Sequence, residues 1–320
     1  MFANRAFRTK LSQQHIRHFT SSMQLNANKL RIGFIPEHFS TPLHFAQRHF
    51  GLDADTKPFP TGTGALTAAL KDDSIDVAIG LTEGFVADLG KAAAKKESSA
   101  YRLVGTYVDS PLCWAISVGA KSELKDASEL KSKRVGVSRI GSGSYVMSYV
   151  LADRHGWLTP GKPPFEPAVL GDFKSLRAGV NREDKADFFM WEHFTTKKFY
   201  DNGELKRIGE IYTPWPSWMI AARDPTDKRL ETLAEKLNQG VVWYNEQIDE
   251  SVDHITSTME YSKEDTESWM KTVKFTEDVR GVDLTVIEET VSILQKAGVL
   301  PNDQDLAHDM IAIKKANRAR

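Results

Sequence analysis

Short apolar runs alternate along the chain with segments whose apolar residues recur at helical spacing. Five runs predict buried strands, and they cover residues 30–35, 75–80, 102–107, 134–138 and 186–191. The segments between them predict helices, which cover residues 42–50, 65–71, 85–95, 144–155 and 173–179. This alternation is typical of a parallel sheet that is covered by helices. We therefore expect every connection to be of the β-α-β kind.

The chain also resembles itself in two places. Residues 29–34 and 131–137 share a basic, apolar and glycine pattern at the start of a predicted strand. Residues 70–80 and 180–191 each contain an acidic turn, then an aspartate, then a buried strand. Because the matches occur in the same order and at similar spacing, they predict a duplicated architecture.

The predicted fold class is therefore α/β, with two similar β-α-β lobes and a double-crossover hinge. Residues 106–118 would carry the chain into the second lobe, and residues 208–223 would bring it back. Lobe I would then be discontinuous, with residues 29–117 and 213–320, and lobe II would comprise residues 118–212. Further helices would complete lobe I, and they are predicted over residues 228–246, 263–272 and 283–297.

The composition describes a globular chain of 320 residues, long enough for two domains with a core each. Its 42 basic and 43 acidic residues leave a formal net charge of -1, so no overall charge draws it to nucleic acid. No apolar stretch approaches the roughly 20 residues that are needed to span a bilayer. The single cysteine, Cys113, excludes an internal disulfide and a multi-cysteine metal site, and we expect it to be buried and unreactive.

Residues 1–28 have the pattern of a mitochondrial targeting segment. They contain Arg5, Arg8, Lys10 and Arg17 but no acidic residue, and a cluster of hydroxyl residues follows. Their apolar residues are scattered among the basic ones, whereas a secretory signal needs an uninterrupted apolar region. We expect this segment to lie outside the fold and to direct the protein to mitochondria. Without such an address the protein would be cytoplasmic.

Four motifs resemble the type II periplasmic-binding-protein superfamily, and within it the group of nitrate, sulfonate and taurine binding proteins and fungal thiamine-pyrimidine synthases. They are the opening strand and loop at 31–37, the strand end at 76–83, the crossing at 105–112 and the strand at 130–138, which a Gly/Ser-rich helix start follows. The run at 138–147 is similar to a little-characterised subgroup of these proteins in fungi and bacteria. The resemblance implies a cleft between two lobes that binds a small molecule.

The sequence departs from the pyrimidine synthases at the residues that those enzymes require. When the two are aligned on the strand that ends at Gly80, the lysine that holds pyridoxal phosphate corresponds to Thr82, and the histidine that is consumed lies near Val86. With Cys113 as the only cysteine, the cysteine-rich segment is missing as well. We therefore expect no cofactor, and we expect that reaction to be impossible.

Strand ends nominate the ligand site, because ligands of open α/β sheets bind beyond the carboxyl ends of the strands. The candidate contacts come from three kinds of segment. These are the loops that follow the predicted strands, the loop before the second predicted helix, and the two crossings. We expect the ligand contacts to be Glu37, His38, Phe39, Thr61, Thr63, Thr82, Glu83, Ser110, Ser138, Arg139, Ser142, Ser144, Trp191, Glu192 and Trp215.

Residues 138–144 form the sharpest element of this site, since a strand end, a glycine loop and a helix start follow one another there. Free N–H groups, the charge of Arg139 and the hydroxyls of Ser142 and Ser144 would favour a carboxylate, sulfonate or phosphate. If the site has no ligand there, the segment is an ordinary helix entry with Ser144 as its N-cap. The loop lacks the Lys-Ser/Thr ending of a Walker loop, so it gives no support to nucleotide hydrolysis.

Aromatic residues at the strand ends and on the return crossing form a second element. Phe39, Trp191, Trp215 and Trp218 could sandwich a planar ligand, or they could pack in the core. Two prolines flank Trp215 and stiffen its segment, so we expect this side chain to face the cleft.

Catalysis has less support than binding. His38 beside Glu37 is the best acid–base candidate, but adjacent side chains usually point apart. His44 and His49 have a poor spacing for a metal, so we expect none. Two hypotheses therefore stay open: a protein whose lobes close on a small anionic or heteroaromatic metabolite, which the sequence favours, and an enzyme of thiamine-pyrimidine or related heterocycle metabolism. A bacterial-type uptake receptor would need export, which the N-terminus argues against. The sequence defines no oligomeric state.

Overall fold

The computed structural model describes residues 29–159, 161–302 and 306–315, and the predicted targeting segment lies outside these ranges. Strands β1 to β10 are Leu30–Phe34, Ala54–Pro58, Val77–Leu81, Arg102–Val108, Cys113–Gly119, Arg134–Val137, Glu166–Val169, Phe188–Glu192, Leu205–Tyr212 and Trp218–Ala222. Helices α1 to α10 are Thr41–Phe50, Thr63–Lys71, Thr82–Ala94, Gly143–Arg154, Phe173–Asn181, His193–Asp201, Arg229–Glu246, Ile248–Thr258, Lys263–Met270 and Leu284–Lys296. Short 3-10 helices occur at His38–Ser40, Ala127–Leu130 and His308–Met310.

The strands form two five-stranded sheets with the same topology. One has the order β2-β1-β3-β10-β4 and the other the order β7-β6-β8-β5-β9. Helices flank both sheets, and buried apolar side chains between the layers form the core. The predicted α/β class with two similar lobes is therefore confirmed.

The prediction that every connection is β-α-β is wrong, because β5 and β10 run antiparallel to both of their neighbours. The reason lies in where the chain crosses. Strand β4 ends at the cleft edge of its sheet, so the chain enters the other sheet at the edge where the parallel strands end, and β5 must run away from it. Strand β9 returns the chain to β10 in the same way.

The crossings contain fewer residues than the sequence predicts, because most of 106–118 and 208–223 belongs to strands. The first crossing is 109–112 and the second is 213–217. They bond to each other: the N–H of Leu112 donates to the hydroxyl of Thr213 at 2.9 Å, and the hydroxyl of Ser217 donates to the carbonyl of Ser110 at 2.7 Å. The predicted lobe boundary between 117 and 118 therefore falls inside β5.

An arginine–aspartate clamp occurs once in each lobe and explains the internal resemblance. The backbone N–H of Arg31 donates to Asp76 at 2.9 Å, and the backbone N–H of Arg134 donates to Asp187 at 2.7 Å. Both guanidinium groups also bond the same carboxylate and the acidic turn before it. In each lobe the clamp thus ties the start of the first strand to the start of the third.

Edge strands β2 and β7 were not predicted. Both are short and partly exposed, and neither sequence, Ala-Asp-Thr-Lys-Pro or Glu-Pro-Ala-Val, contains the longer apolar run that indicates a buried strand. Among the described residues, no helix combines the length and the apolar character that crossing a membrane requires.

Helix α7 packs on α1 through Gly240, and we expect alanine at this position to destabilise the protein. A Cβ at Gly240 would lie 2.2 Å from the carbonyl oxygen of Pro42 and 3.1 Å from the backbone nitrogen of Ala46. Since a backbone cannot yield as a side chain can, Gly240→Ala should lower the free energy of unfolding by about 1–3 kcal/mol in chemical denaturation.

The matched control for this prediction is Asn245→Ala, which changes an exposed residue of the same helix. Its free energy of unfolding should stay close to that of the wild type. Equal stability of the two variants would contradict the close packing of α1 and α7.

Candidate functional site

Two adjoining cavities lie in the cleft between the lobes. The inner cavity, of about 70 Å³, lies between the strand-end loops and is lined from lobe I by Thr61, Thr63, Leu81 and Trp218, and from lobe II by Trp114, Ser138, Arg139, Ser142 and Ser144. The outer cavity, of about 670 Å³, is lined by residues that include Phe34, His44, Phe173, Lys198, His254 and Tyr261. Ile35, Glu37, Pro60 and Trp191 line both, so the two cavities are continuous.

The start of α4 forms the lobe II wall of the inner cavity. Gly141 has a φ of 80°, which turns the chain between β6 and the helix. Ser142, and not Ser144, is the N-cap, since its hydroxyl accepts the N–H of Tyr145 at 3.3 Å. The hydroxyls of Ser142 and Ser144 lie 3.0 Å apart, and both side chains are buried. Two hydroxyls and the positive end of a twelve-residue helix therefore meet here.

The guanidinium group of Arg139 reaches across the cleft to lobe I. It lies against the first turn of α2, where a Cβ at Gly64 would be 2.7 Å from its Cζ. Among the described residues, none accepts a hydrogen bond from this guanidinium group; the nearby carboxylates of Asp88 and Glu83 act on it only through their charge. Arg139 therefore brings a positive charge with unused donors to the cavity wall.

Glu83 and Trp215 lie behind this wall and line neither cavity. Glu83 is fully buried, and its Oε2 accepts the indole N–H of Trp215 at 3.1 Å. Burial raises the pKa of Glu83 to about 7. The prediction that Trp215 faces the cleft is wrong, because this hydrogen bond and its apolar ring hold it in the core, with 2% of its surface exposed.

Glu37 and Glu192 line the inner cavity from opposite lobes. Burial raises the pKa of Glu192 to about 7. Burial, together with the charge of Glu192, raises the pKa of the partly exposed Glu37 to about 8. At neutral pH, much of the population of these carboxyl groups is therefore uncharged.

His38 lies beside this pair but does not form an ion pair with it. Its Nε2 is 3.9 Å from Oε1 of Glu192, which is beyond hydrogen-bond distance, and burial lowers the pKa of the imidazole well below its ordinary value. The ring packs among the side chains of Phe39, Tyr261 and Trp269. His38 and Phe39 therefore belong to the aromatic core behind the cleft and do not line the cavities.

The structure brings most of the predicted contacts together at the inner cavity: Glu37, Thr61, Thr63, Ser138, Arg139, Ser142, Ser144, Trp191 and Glu192. The other predicted contacts line neither cavity. Thr82 is fully buried, and its hydroxyl donates to the carbonyl of Pro216. The hydroxyl of Ser110 accepts the backbone N–H of Lys274, and its carbonyl accepts the hydroxyl of Ser217. Both hold the crossings in place.

Trp114 lines the inner cavity but was missed as a contact, and Trp218 was identified only as a candidate aromatic. Each lies at the start of a strand that follows a crossing. The signal that could have found them is the antiparallel course of β5 and β10, which the sequence pattern does not predict.

Contacts between the lobes also occur beside the outer cavity. The hydroxyl groups of Thr195 and Tyr261 lie 3.0 Å apart, and Lys197 Nζ lies 3.1 Å from Asp265 Oδ1. Within residues 29–159, 161–302 and 306–315, no three His, Cys, Asp or Glu side chains are grouped as a metal site would require. Cys113 is half-buried, and burial raises the pKa of its thiol to about 12, which disfavours the reactive thiolate.

Solved structures with this fold show what the chain is similar to. The Candida albicans CA3427 gene product, which defines a family with the generic periplasmic binding protein fold, is 39% identical, with a TM-score of 0.79 over 91% of this chain and 99% of that chain. The alkanesulfonate-binding protein SsuA of Xanthomonas axonopodis pv. citri, bound to MOPS, is 17% identical, with a TM-score of 0.70 over 88% and 97%. PhnD1 of Prochlorococcus marinus, in complex with methylphosphonate, is 13% identical, with a TM-score of 0.55 over 85% and 98%.

One of two sequence comparisons agrees with the structural ones. No curated protein sequence matches the chain. The family model of the Ca3427-like PBP matches residues 114–211, which run from the second residue of β5 to the last but one of β9 and include the loop at 138–144. The relative from Candida albicans exceeds the identity at which proteins of this length share a family, and it is matched over almost its whole length. The chain therefore belongs to the Ca3427-like family of proteins with the periplasmic-binding-protein fold.

Proposed function

We propose that this protein binds a small molecule with an oxyanion head group and an apolar or heteroaromatic body. The observation that carries the proposal is the Arg139 guanidinium group, which has no hydrogen-bond acceptor among the described residues and lies beside the buried hydroxyls of Ser142 and Ser144. A guanidinium group with free donors, two hydroxyls and a helix N-terminus is the combination that recognises an oxyanion.

The sizes of the cavities fit such a molecule. The inner cavity of about 70 Å³ would accommodate only a small head group, whereas the outer cavity of about 670 Å³ has room for a larger body. Trp191 lines both and stacks on Phe173, with ring centroids 5.0 Å apart. A planar or apolar body would extend from the inner into the outer cavity and pack against these rings.

Two structural neighbours support this class of head group. One binds alkanesulfonates and the other is in complex with methylphosphonate, and both ligands end in a tetrahedral oxyanion. Sulfonates and phosphonates are therefore the first compounds to test with this protein.

The carboxyl groups of the cleft do not oppose an anion as strongly as their number suggests. The raised pKa values of Glu37 and Glu192 keep much of both groups uncharged at neutral pH. A protonated carboxyl group can donate a hydrogen bond to an oxyanion instead of repelling it. An anion in the inner cavity would favour the protonated forms further.

Binding explains this cleft better than catalysis does. The sequence nominated His38 beside Glu37 as the best acid–base candidate, yet neither ring nitrogen of His38 has a hydrogen-bond partner among the described residues, and His38 lines neither cavity. Mass spectrometry of metabolites incubated with the protein tests this choice, because binding leaves the mass of the ligand unchanged and an enzyme alters it.

A ligand at the inner cavity would hold the two lobes together. Arg139 belongs to lobe II and rests on Gly64 of lobe I, so an oxyanion bound there would touch both. The crossings at 109–112 and 213–217 are the segments about which the lobes would open.

Replacing Arg139 with alanine should weaken the binding of methylphosphonate and methanesulfonate by about tenfold or more, because a charge-assisted hydrogen bond is lost. Isothermal titration calorimetry measures this affinity. The control is Arg102→Ala, which removes an exposed arginine that lines neither cavity and should leave the affinity unchanged. If Arg139→Ala binds both compounds as tightly as the wild type, the assigned site is wrong.

The affinity for methanesulfonate, whose single charge does not change in this range, should fall by several-fold as the pH rises from about 6 to about 8, because Glu192 and Glu37 lose their protons and then repel the anion. The uncharged variant Glu192→Gln should show a shallower decline, whereas the exposed control Glu246→Gln should follow the wild type. An affinity that rises with pH would show that these carboxyl groups do not face the anion.

We also propose that residues 1–28 direct the protein to mitochondria. A fluorescent protein fused to this segment should accumulate there in microscopy of cells. The same fusion with Arg5, Arg8, Lys10 and Arg17 changed to serine should stay in the cytoplasm, because the presequence needs its positive charge. Cytoplasmic fluorescence of the unaltered fusion would show that residues 1–28 do not direct the protein to mitochondria.

A further inference from the structure

Two tryptophans of the inner cavity have indole N–H groups without a hydrogen-bond acceptor. Trp114 and Trp218 are almost fully buried, with 4% and 2% of their surfaces exposed, and both line the inner cavity. Their Nε1 atoms are out of contact with solvent, and among the described residues neither donates to any acceptor. Buried N–H groups in folded proteins almost always have a partner, so two exceptions at one cavity call for an explanation.

Other indole groups of the same chain show that this is not a general property of its tryptophans. The N–H of Trp215 donates to Glu83 at 3.1 Å, and that of Trp243 donates to Glu250 at 2.8 Å. Two buried indole groups without a partner, those of Trp114 and Trp218, thus line the inner cavity from the two lobes. A need for apolar bulk alone does not explain them, because phenylalanine would supply an aromatic ring without a buried donor.

The two tryptophans occupy equivalent places in the two lobes. Trp218 pairs with Leu81, the last residue of β3, and Trp114 pairs with Glu192, the last residue of β8. Strands β3 and β8 hold the same position in their sheets, and so do β10 and β5. Each lobe therefore places one indole at the carboxyl end of its third strand, on the edge that faces the cleft.

We propose that Trp114 and Trp218 are ligand-binding residues, whose indole N–H groups, closed to solvent in this arrangement of the side chains, turn toward the inner cavity on binding and donate hydrogen bonds to two oxygens of the oxyanion, one from each lobe. The inference rests on the proposed function and deepens it, because it adds two uncharged donors to the single charge of Arg139. The ligand supplies the acceptors that the protein lacks, so binding satisfies donors that are otherwise buried without a partner.

Nuclear magnetic resonance of the full chain with ¹⁵N-labelled indole groups tests this directly, with methylphosphonate and methanesulfonate as the probes. The variants Trp114→Phe, Trp218→Phe and Trp215→Phe assign the three resonances. On saturation with either probe, the proton resonances of Trp114 and Trp218 should move downfield, as expected for a new hydrogen bond. The resonance of Trp215 should move little, because its N–H already donates to Glu83.

Calorimetry with the same variants gives a second measurement. Trp114→Phe and Trp218→Phe should each weaken probe binding by about tenfold, which corresponds to about 1.4 kcal/mol. Trp215→Phe is the matched control: it should bind the probes within about twofold of the wild type but unfold at a lower temperature, since Glu83 loses its partner.

The outcomes separate this inference from the proposed function. If the wild type binds a probe through Arg139 and the Trp114 and Trp218 resonances stay in place, the tryptophan assignment is overturned and the proposed function stands. If the wild type binds neither probe, both are overturned.

Discussion

The pairing of β10 between β3 and β4, and of β5 between β8 and β9, is the constraint on which the cleft depends. Each of these strands arrives from the other lobe and enters its sheet at the edge where the parallel strands end. The two crossings, at 109–112 and 213–217, bond to each other and keep those edges face to face. As a result the strand-end loops of both lobes meet around one inner cavity, and Trp114 and Trp218 stand on either side of it.

The electrostatic character of the cleft follows from burial more than from the number of charged residues. Glu37 and Glu192 line the inner cavity from opposite lobes, and desolvation keeps protons on much of both at neutral pH. Arg139 keeps its charge and rests on Gly64, the one residue type whose lack of a Cβ leaves space for the guanidinium group. Among the described residues, the inner cavity, which the number of its carboxyl groups would make acidic, therefore presents the cation of Arg139 and several neutral hydrogen-bond donors.

Sequence patterns predicted the features that local chemistry determines. The repeated turn and aspartate at 70–80 and 180–191 indicated two similar lobes, because each repeat carries one arginine–aspartate clamp. The loop at 138–144 was predicted as a site element, since the glycines and serines of a helix start are local. The place of Trp215 depends on a partner 132 residues away, Glu83, and no pattern around Trp215 reveals that contact. Trp114 was missed for the same reason, because its place at the cavity depends on how β5 pairs with distant strands after the first crossing.

Native mass spectrometry of the freshly purified full chain tests the central claim, that the cleft holds a small oxyanion-bearing molecule, most directly. The account predicts that the wild type carries, or takes up from a panel of sulfonates and phosphonates, one small molecule that leaves on denaturation with its mass unchanged. It also predicts that Arg139→Ala holds much less of it under the same conditions. A wild type that binds no member of the panel, or an Arg139→Ala variant with the same occupancy, would contradict the account.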